Sequence, residues 1–207
     1  MKMAIAEGLF RSHTYLKYRN IITKLFADGK VTGNSQTEAL LGYTKLNESR
    51  MNRLDKKLVV PEDLIKRLLA LKQKYVWLVI SEGWCGDSAQ VVPVMNKLAT
   101  LSPNIELKLV FRDENDALMN TFLTNGSRSI PKLIVLDAET NEVKGTWGPR
   151  PKGAADFIKS YKSQYGVIDE TAKTELHLWY THDKGLSTQN ELIELMEEME
   201  VSLYAKR

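Results

Sequence analysis

The run YVWLVIS, residues 75–81, most restricts what this chain can become. It is almost uninterrupted in β-branched and aromatic residues, which predicts a strand covered on both faces. That strand leads directly into SEGWCGDSAQ, residues 81–90, which holds the only cysteine, Cys85. Downstream, the pattern predicts a helix over about 88–101, a strand at IELKLVF (105–111) and a helix over about 114–123. A strand at PKLIVLD (131–137) follows, then a hairpin through AETNE into EVKGTW and a helix over 152–165. The order βαβ, α, ββα implies an α/β fold: a four-stranded mixed sheet flanked by helices.

Helical patterns precede and follow this core. Phe10, Tyr15, Tyr18, Ile22, Leu25 and Phe26 recur at helical spacing and predict one helix over 9–27, with Gly29 as its stop. Ser35 and Glu38 have the spacing of a capping box before Leu40, Leu41, Met51, Leu54 and Leu58. Pro61, Glu62 and Asp63 open a further helix with an apolar face of Leu64, Ile65, Leu68, Leu69 and Leu71. Beyond the core, Asp169 caps a helix with Leu176, Trp179 and Tyr180 inward, ended by Gly185. Thr188 and Glu191 suggest a second capping box ahead of Leu192, Leu195, Met196, Met199 and Leu203. The expected division is a helical extension over 1–60, the α/β unit over 61–166 and a helical extension over 167–207 packed on that unit.

Length and charge narrow the classes. The 207 residues suffice for one sizeable core. No apolar run approaches a membrane span, and MKMAIAEGLFRS lacks the pattern of a secretory signal, so a soluble cytoplasmic protein is expected. Residues 1–60 carry eleven Lys or Arg against five Asp or Glu, whereas from Asp169 onward nine acidic residues meet four basic ones. The basic arm has no interleaved stacking aromatics, so nucleic acid is not an expected partner; docking of the two extensions on each other is. One cysteine excludes any internal disulfide. His177 and His182 are five apart and do not share a helix face, and His13 is isolated, so no metal site is expected.

An apolar strand, then Trp84-Cys85-Gly86, Pro93 eight residues after the cysteine, Ile130-Pro131 ahead of a second apolar strand, and Gly148 after a hairpin together resemble the thioredoxin superfamily. The resemblance covers about residues 62–165 and implies a thioredoxin-like fold with a cis proline at Pro131. Departures are concentrated at the site. The second cysteine of thioredoxins is Ser88 here and their proline is Asp87. A buried Asp six residues before the nucleophile is Val79, and its lysine partner is Leu109. With the dithiol gone, a buried ionisable pair would only cost desolvation, so its apolar replacement is coherent.

What the resemblance implies is monothiol chemistry. Cys85 would lie at a helix N-terminus, where free amides favour a thiolate. Ser88 would donate to it without being able to resolve an adduct. Asp87, two residues away, would oppose its ionisation. Trp84 and Gly86 would flank the thiol, Ile130 and Pro131 would form a groove for an extended substrate, and Arg128 with Lys132 would flank that groove. The expected substrates are protein or small-molecule disulfides, with a low-molecular-weight thiol as co-substrate and no bound cofactor. CGDS also resembles the CGFS of cluster-binding monothiol glutaredoxins, but Asp87 replaces the phenylalanine and their later double glycine is missing. The alternative to exchange is a redox-inactive interaction module on the same fold.

Overall fold

The computed structural model describes the backbone of residues 1–204 and the side chains of residues 1–201, so Leu203, expected on the last helix's apolar stripe, lies outside the described side chains. In chain order the elements are α1 (Lys2–Arg11), α2 (Tyr15–Ala27), α3 (Glu38–Lys57), α4 (Glu62–Ala70), β1 (Tyr75–Ser81), α5 (Gly86–Leu101) and β2 (Ile105–Phe111). A short 3-10 turn (Arg112–Glu114) precedes α6 (Asp116–Thr121), β3 (Lys132–Asp137), β4 (Val143–Trp147), α7 (Lys152–Tyr165), α8 (Glu170–Asp183) and α9 (Leu186–Tyr204). None of the described helices is long and apolar enough to cross a membrane.

The sheet has the order β2-β1-β3-β4. β1 runs parallel to β2 and antiparallel to β3, and β3 is antiparallel to β4. Every residue of β1 is buried, as its composition requires. Alternate residues feed two cores. Trp77 and Val79 face one with α2–α5, α8 and α9, while Leu78 and Ile80 face the other with α1 and α6. Val79 and Leu109 are register partners in parallel strands, both fully buried, so the position that could hold an ion pair is a hydrocarbon contact.

The flanking helices belong to these cores. Tyr18, Ile22 and Met51 from one side of the sequence and Leu176, Leu192 and Met196 from the other are buried with Val91 and Leu98 of α5. The extensions also meet each other, where Lys173 Nζ donates to the Tyr43 hydroxyl at 3.1 Å.

Three predicted boundaries differ. The helix expected over 9–27 is broken at Ser12–Thr14, because His13 makes two backbone hydrogen bonds with Leu109 of β2, at 2.8 and 2.9 Å. This leaves Phe10 90% exposed. α3 is capped by Thr37, whose Oγ1 accepts from Leu40 N at 3.2 Å, and not by Ser35. Thr188 lies inside α9, and its proposed capping partner Glu191 instead accepts from Trp147 Nε1 (2.8 Å) and Lys152 N (2.7 Å).

A candidate thiol site under a helical roof

Cys85 is the N-cap of α5, held where β1 turns into the helix. Its Sγ donates to the Ile130 carbonyl at 3.3 Å and accepts from Ser88 N at 3.5 Å. The residue is only 8% exposed. Burial, followed by the Asp87 charge, pushes the thiol up to about 11; the Ser88 hydroxyl and the Ser88 and Asp87 amides pull the other way but are outweighed. The helix N-terminus does not prevail, and the resting state at neutral pH is the protonated thiol. Ser88 is buried, and its Oγ has no hydrogen bond of normal geometry.

Asp87 turns away from the groove. It is paired with Arg150, Nε to Oδ1 at 2.9 Å and Nη2 to Oδ2 at 2.6 Å, and accepts from the Tyr180 hydroxyl at 2.9 Å. Burial raises its carboxyl above the ordinary range, against the pull of Arg150 and Tyr180.

The connection from β1 to α5 is held residue by residue by α3, the link between α2 and α3, and the turn after β2. Asn47 Nδ2 donates to the Gly83 carbonyl at 3.0 Å, and Gly83 N donates to Thr32 Oγ1 at 2.9 Å. Trp84 Nε1 donates to the Thr32 carbonyl at 3.0 Å, and the Arg112 guanidinium lies 4.9 Å from its ring centroid. Gly86 is covered: a Cβ there would stand 3.1 Å from His177 Cε1 of α8 and 3.8 Å from Arg50 Nη1 of α3. Burial, with help from Arg50, lowers His177 to about 4, which leaves a neutral imidazole over the motif.

Of the groove residues, Ile130 and Pro131 are buried and joined by a cis peptide bond. Arg128 is exposed and ion-paired with Asp116. Lys132 is buried, donates to Thr124 Oγ1 at 3.2 Å, and has its ammonium disfavoured by burial.

The structure therefore brings Trp84, Cys85, Gly86, Ser88, Ile130 and Pro131 together. It turns Asp87 toward α8 and commits Arg128 to a surface pair. Sequence reasoning missed Thr32, Asn47, Arg50, Arg150 and Tyr180, and weighed His177 only as a metal ligand. It also missed Glu82. That carboxyl is fully buried three residues before the thiol, and burial pushes it up to about 7 despite hydrogen bonds from Thr32 and the Asp113 amide.

No curated protein sequence matches the chain. Among solved structures, it resembles a Pseudomonas aeruginosa protein of unknown function, with 20% identity over 90% of this chain and 98% of the other, at a TM-score of 0.59. An HIV epitope-scaffold is similar at 21% identity, covering 90% of this chain and 99% of its own length, at a TM-score of 0.57. Both likenesses speak to the fold. A family model described as Thioredoxin matches residues 33–162, beginning well inside the helical arm and including α3, whose Asn47 and Arg50 hold the motif. With that match spanning most of the chain, and with Cys85 at the head of α5 beside the Ile130–Pro131 turn, the protein belongs to the thioredoxin family.

Proposed function

We propose that this protein is a latent monothiol exchanger, closed in its resting form and active when the roof over Gly86 lifts. The observation that carries this reading is the seat of Cys85 Sγ, between the Ser88 amide and the Ile130 carbonyl at the start of α5. That is where a thioredoxin-type nucleophile meets an extended substrate. In the closed form, a thiol with a pKa of about 11 is ionised at pH 7 to about one part in ten thousand, against a few per cent for a free cysteine. Lifting α8 and the Arg50 side chain off Gly86 opens the turn beside the thiol to solvent and so lessens burial, the largest cause of that upward push, while the helix amides stay in place. The exposed thiolate then attacks a disulfide R–S–S–R′, forming Cys85–S–S–R and releasing R′–S⁻. Ser88 carries no resolving sulfur, so a second thiol must attack the adduct, regenerating Cys85 and leaving a new disulfide.

The burial of Cys85 favours a second reading, a redox-silent module that uses the fold for binding alone. The rate of mixed-disulfide formation with oxidised glutathione, followed by mass in the full chain and in an Arg50→Ala/His177→Ala variant, separates the two. The first predicts slow reaction in the parent and a gain of at least about tenfold in the folded variant. A folded variant that reacts no faster leaves the redox-silent module standing.

A further inference from the structure

Away from the thiol, a cavity of about 460 Å³ opens between the C-terminal end of α3, the α3–α4 connection and the turn from α8 to α9. Its size falls within the roughly 300–1,000 Å³ range of small-molecule sites. Leu54, Leu58, Pro61 and Leu186 supply apolar wall, and Tyr180 lines it with its hydroxyl already committed to Asp87. Arg53, Lys57 and Lys184 also line it, and no acidic residue does. Among the described residues, none of these three cationic side chains forms an ion pair or a side-chain hydrogen bond. By contrast, Arg19 is paired with Asp55 and Lys173 with Glu170. An apolar trough edged by three uncommitted positive charges is complementary to one kind of molecule, an apolar tail with an anionic head.

We propose that this cavity binds a single-chain amphipathic anion, its acyl or alkyl tail against Leu54, Leu58, Pro61 and Leu186 and its head against Arg53, Lys57 and Lys184. Burying the tail supplies most of the affinity. The three cations select for charge, because an uncharged head of equal tail length leaves them solvated but unused. A carboxylate head, as in a fatty acid, and a phosphate head, as in a lysophospholipid-type lipid, share this chemistry, and the arms of the experiment distinguish them. The site stands independently of whether Cys85 exchanges disulfides.

The test is calorimetric titration of the full chain with decanoate, decyl phosphate, decanol and acetate, each below its self-association limit. One equivalent of decanoate or decyl phosphate is expected to bind at least about tenfold more tightly than decanol, with acetate weaker still. The tighter of the two anions identifies the head. Lys57→Glu with Lys184→Glu changes two exposed side chains and is expected to weaken anion binding by at least about tenfold at unchanged melting temperature. Absence of binding, equal affinity for decanol and decanoate, or anion binding unaffected by the charge reversal overturns the proposal. The comparison of head groups on the unmodified chain holds even if the double variant does not fold.

Discussion

The Tyr180 hydroxyl donates to Asp87 Oδ1 at 2.9 Å, fastening α8 to a residue two places beyond the only cysteine. Because Asp87 is buried and also takes two contacts from Arg150, removing its charge leaves a guanidinium partly buried without its counter-ion. Asp87→Asn is expected to cost about 2–4 kcal/mol in urea unfolding, and Tyr180→Phe about 1–3 kcal/mol. Asp87→Asn should also lower the half-point of Cys85 alkylation, since the Asp87 charge is the second-largest cause of its elevation. An unchanged half-point in a folded variant would remove Asp87 from the control of the thiol.

A buried carboxyl and a half-buried imidazole oppose each other in mildly acidic solution. Glu82, pushed up to about 7 from 4.5, holds its proton more tightly in the folded chain. Its contribution is present in full below pH 4.5 and is lost as pH rises to 7, about 3 kcal/mol at 1.36 kcal/mol per unit. His177, lowered from 6.5 to about 4, contributes stability above pH 6.5 that is lost as pH falls to 4. Its loss is about 2 kcal/mol after allowance for partial exposure. Between pH 4.5 and 6.5 the two slopes have opposite signs. Urea midpoints of the parent should vary little there, whereas Glu82→Gln should lose stability on acidification and His177→Gln should gain it. Parallel behaviour of the two variants would contradict this.

Glycine positions give a sharper contrast. Gly148 has φ +111, and a Cβ there would stand 2.4 Å from the Pro131 carbonyl oxygen, a backbone atom that cannot swing aside. Gly148→Ala is expected to cost at least about 3 kcal/mol. Gly42 lies inside α3 with nothing within 4 Å of the added atom, so Gly42→Ala should gain about 0.5–1 kcal/mol. Thermal melts of the two variants should move in opposite directions.

The core of the fold was legible because its signals are local. Seven consecutive apolar or β-forming residues define β1, and the register partners Val79 and Leu109 replace an ion pair by hydrocarbon in a way visible one strand at a time. The break at Ser12–Thr14 was not legible, since the periodicity on either side is helical and its cause is a bridge to Leu109, nearly a hundred residues away. Capping boxes misled for a related reason. Glu191 has the right spacing from Thr188, but Trp147 and Lys152 compete for its carboxylate from across the fold. At the site, the thiol and its turn could be read from WCGDS and SIP. Their surroundings could not, because Asn47, Arg50, Arg150, His177 and Tyr180 come from separate helices and turns with no spacing relation to Cys85. The sequence set the helix terminus against Asp87 without deciding between them; burial of Cys85 among Ile5, Leu118, Phe122 and Ile130, side chains far from it in the chain, is the largest cause of the thiol's upward push.

The bridge between His13 and Leu109 also governs what the molecule can become. A sheet edge with open amides and carbonyls is a template on which other chains can polymerise. Here the three-residue link between α1 and α2 lies against β2 as a single rung of a fifth strand, capping the ladder at its middle. A fragment starting after residue 60 would lose that rung and also bare the faces of Leu109 and Phe111 now covered by Tyr18 and His13. The arm thus covers this edge, and trimming this chain to its thioredoxin-like core would leave β2 open to pair with strands of other chains.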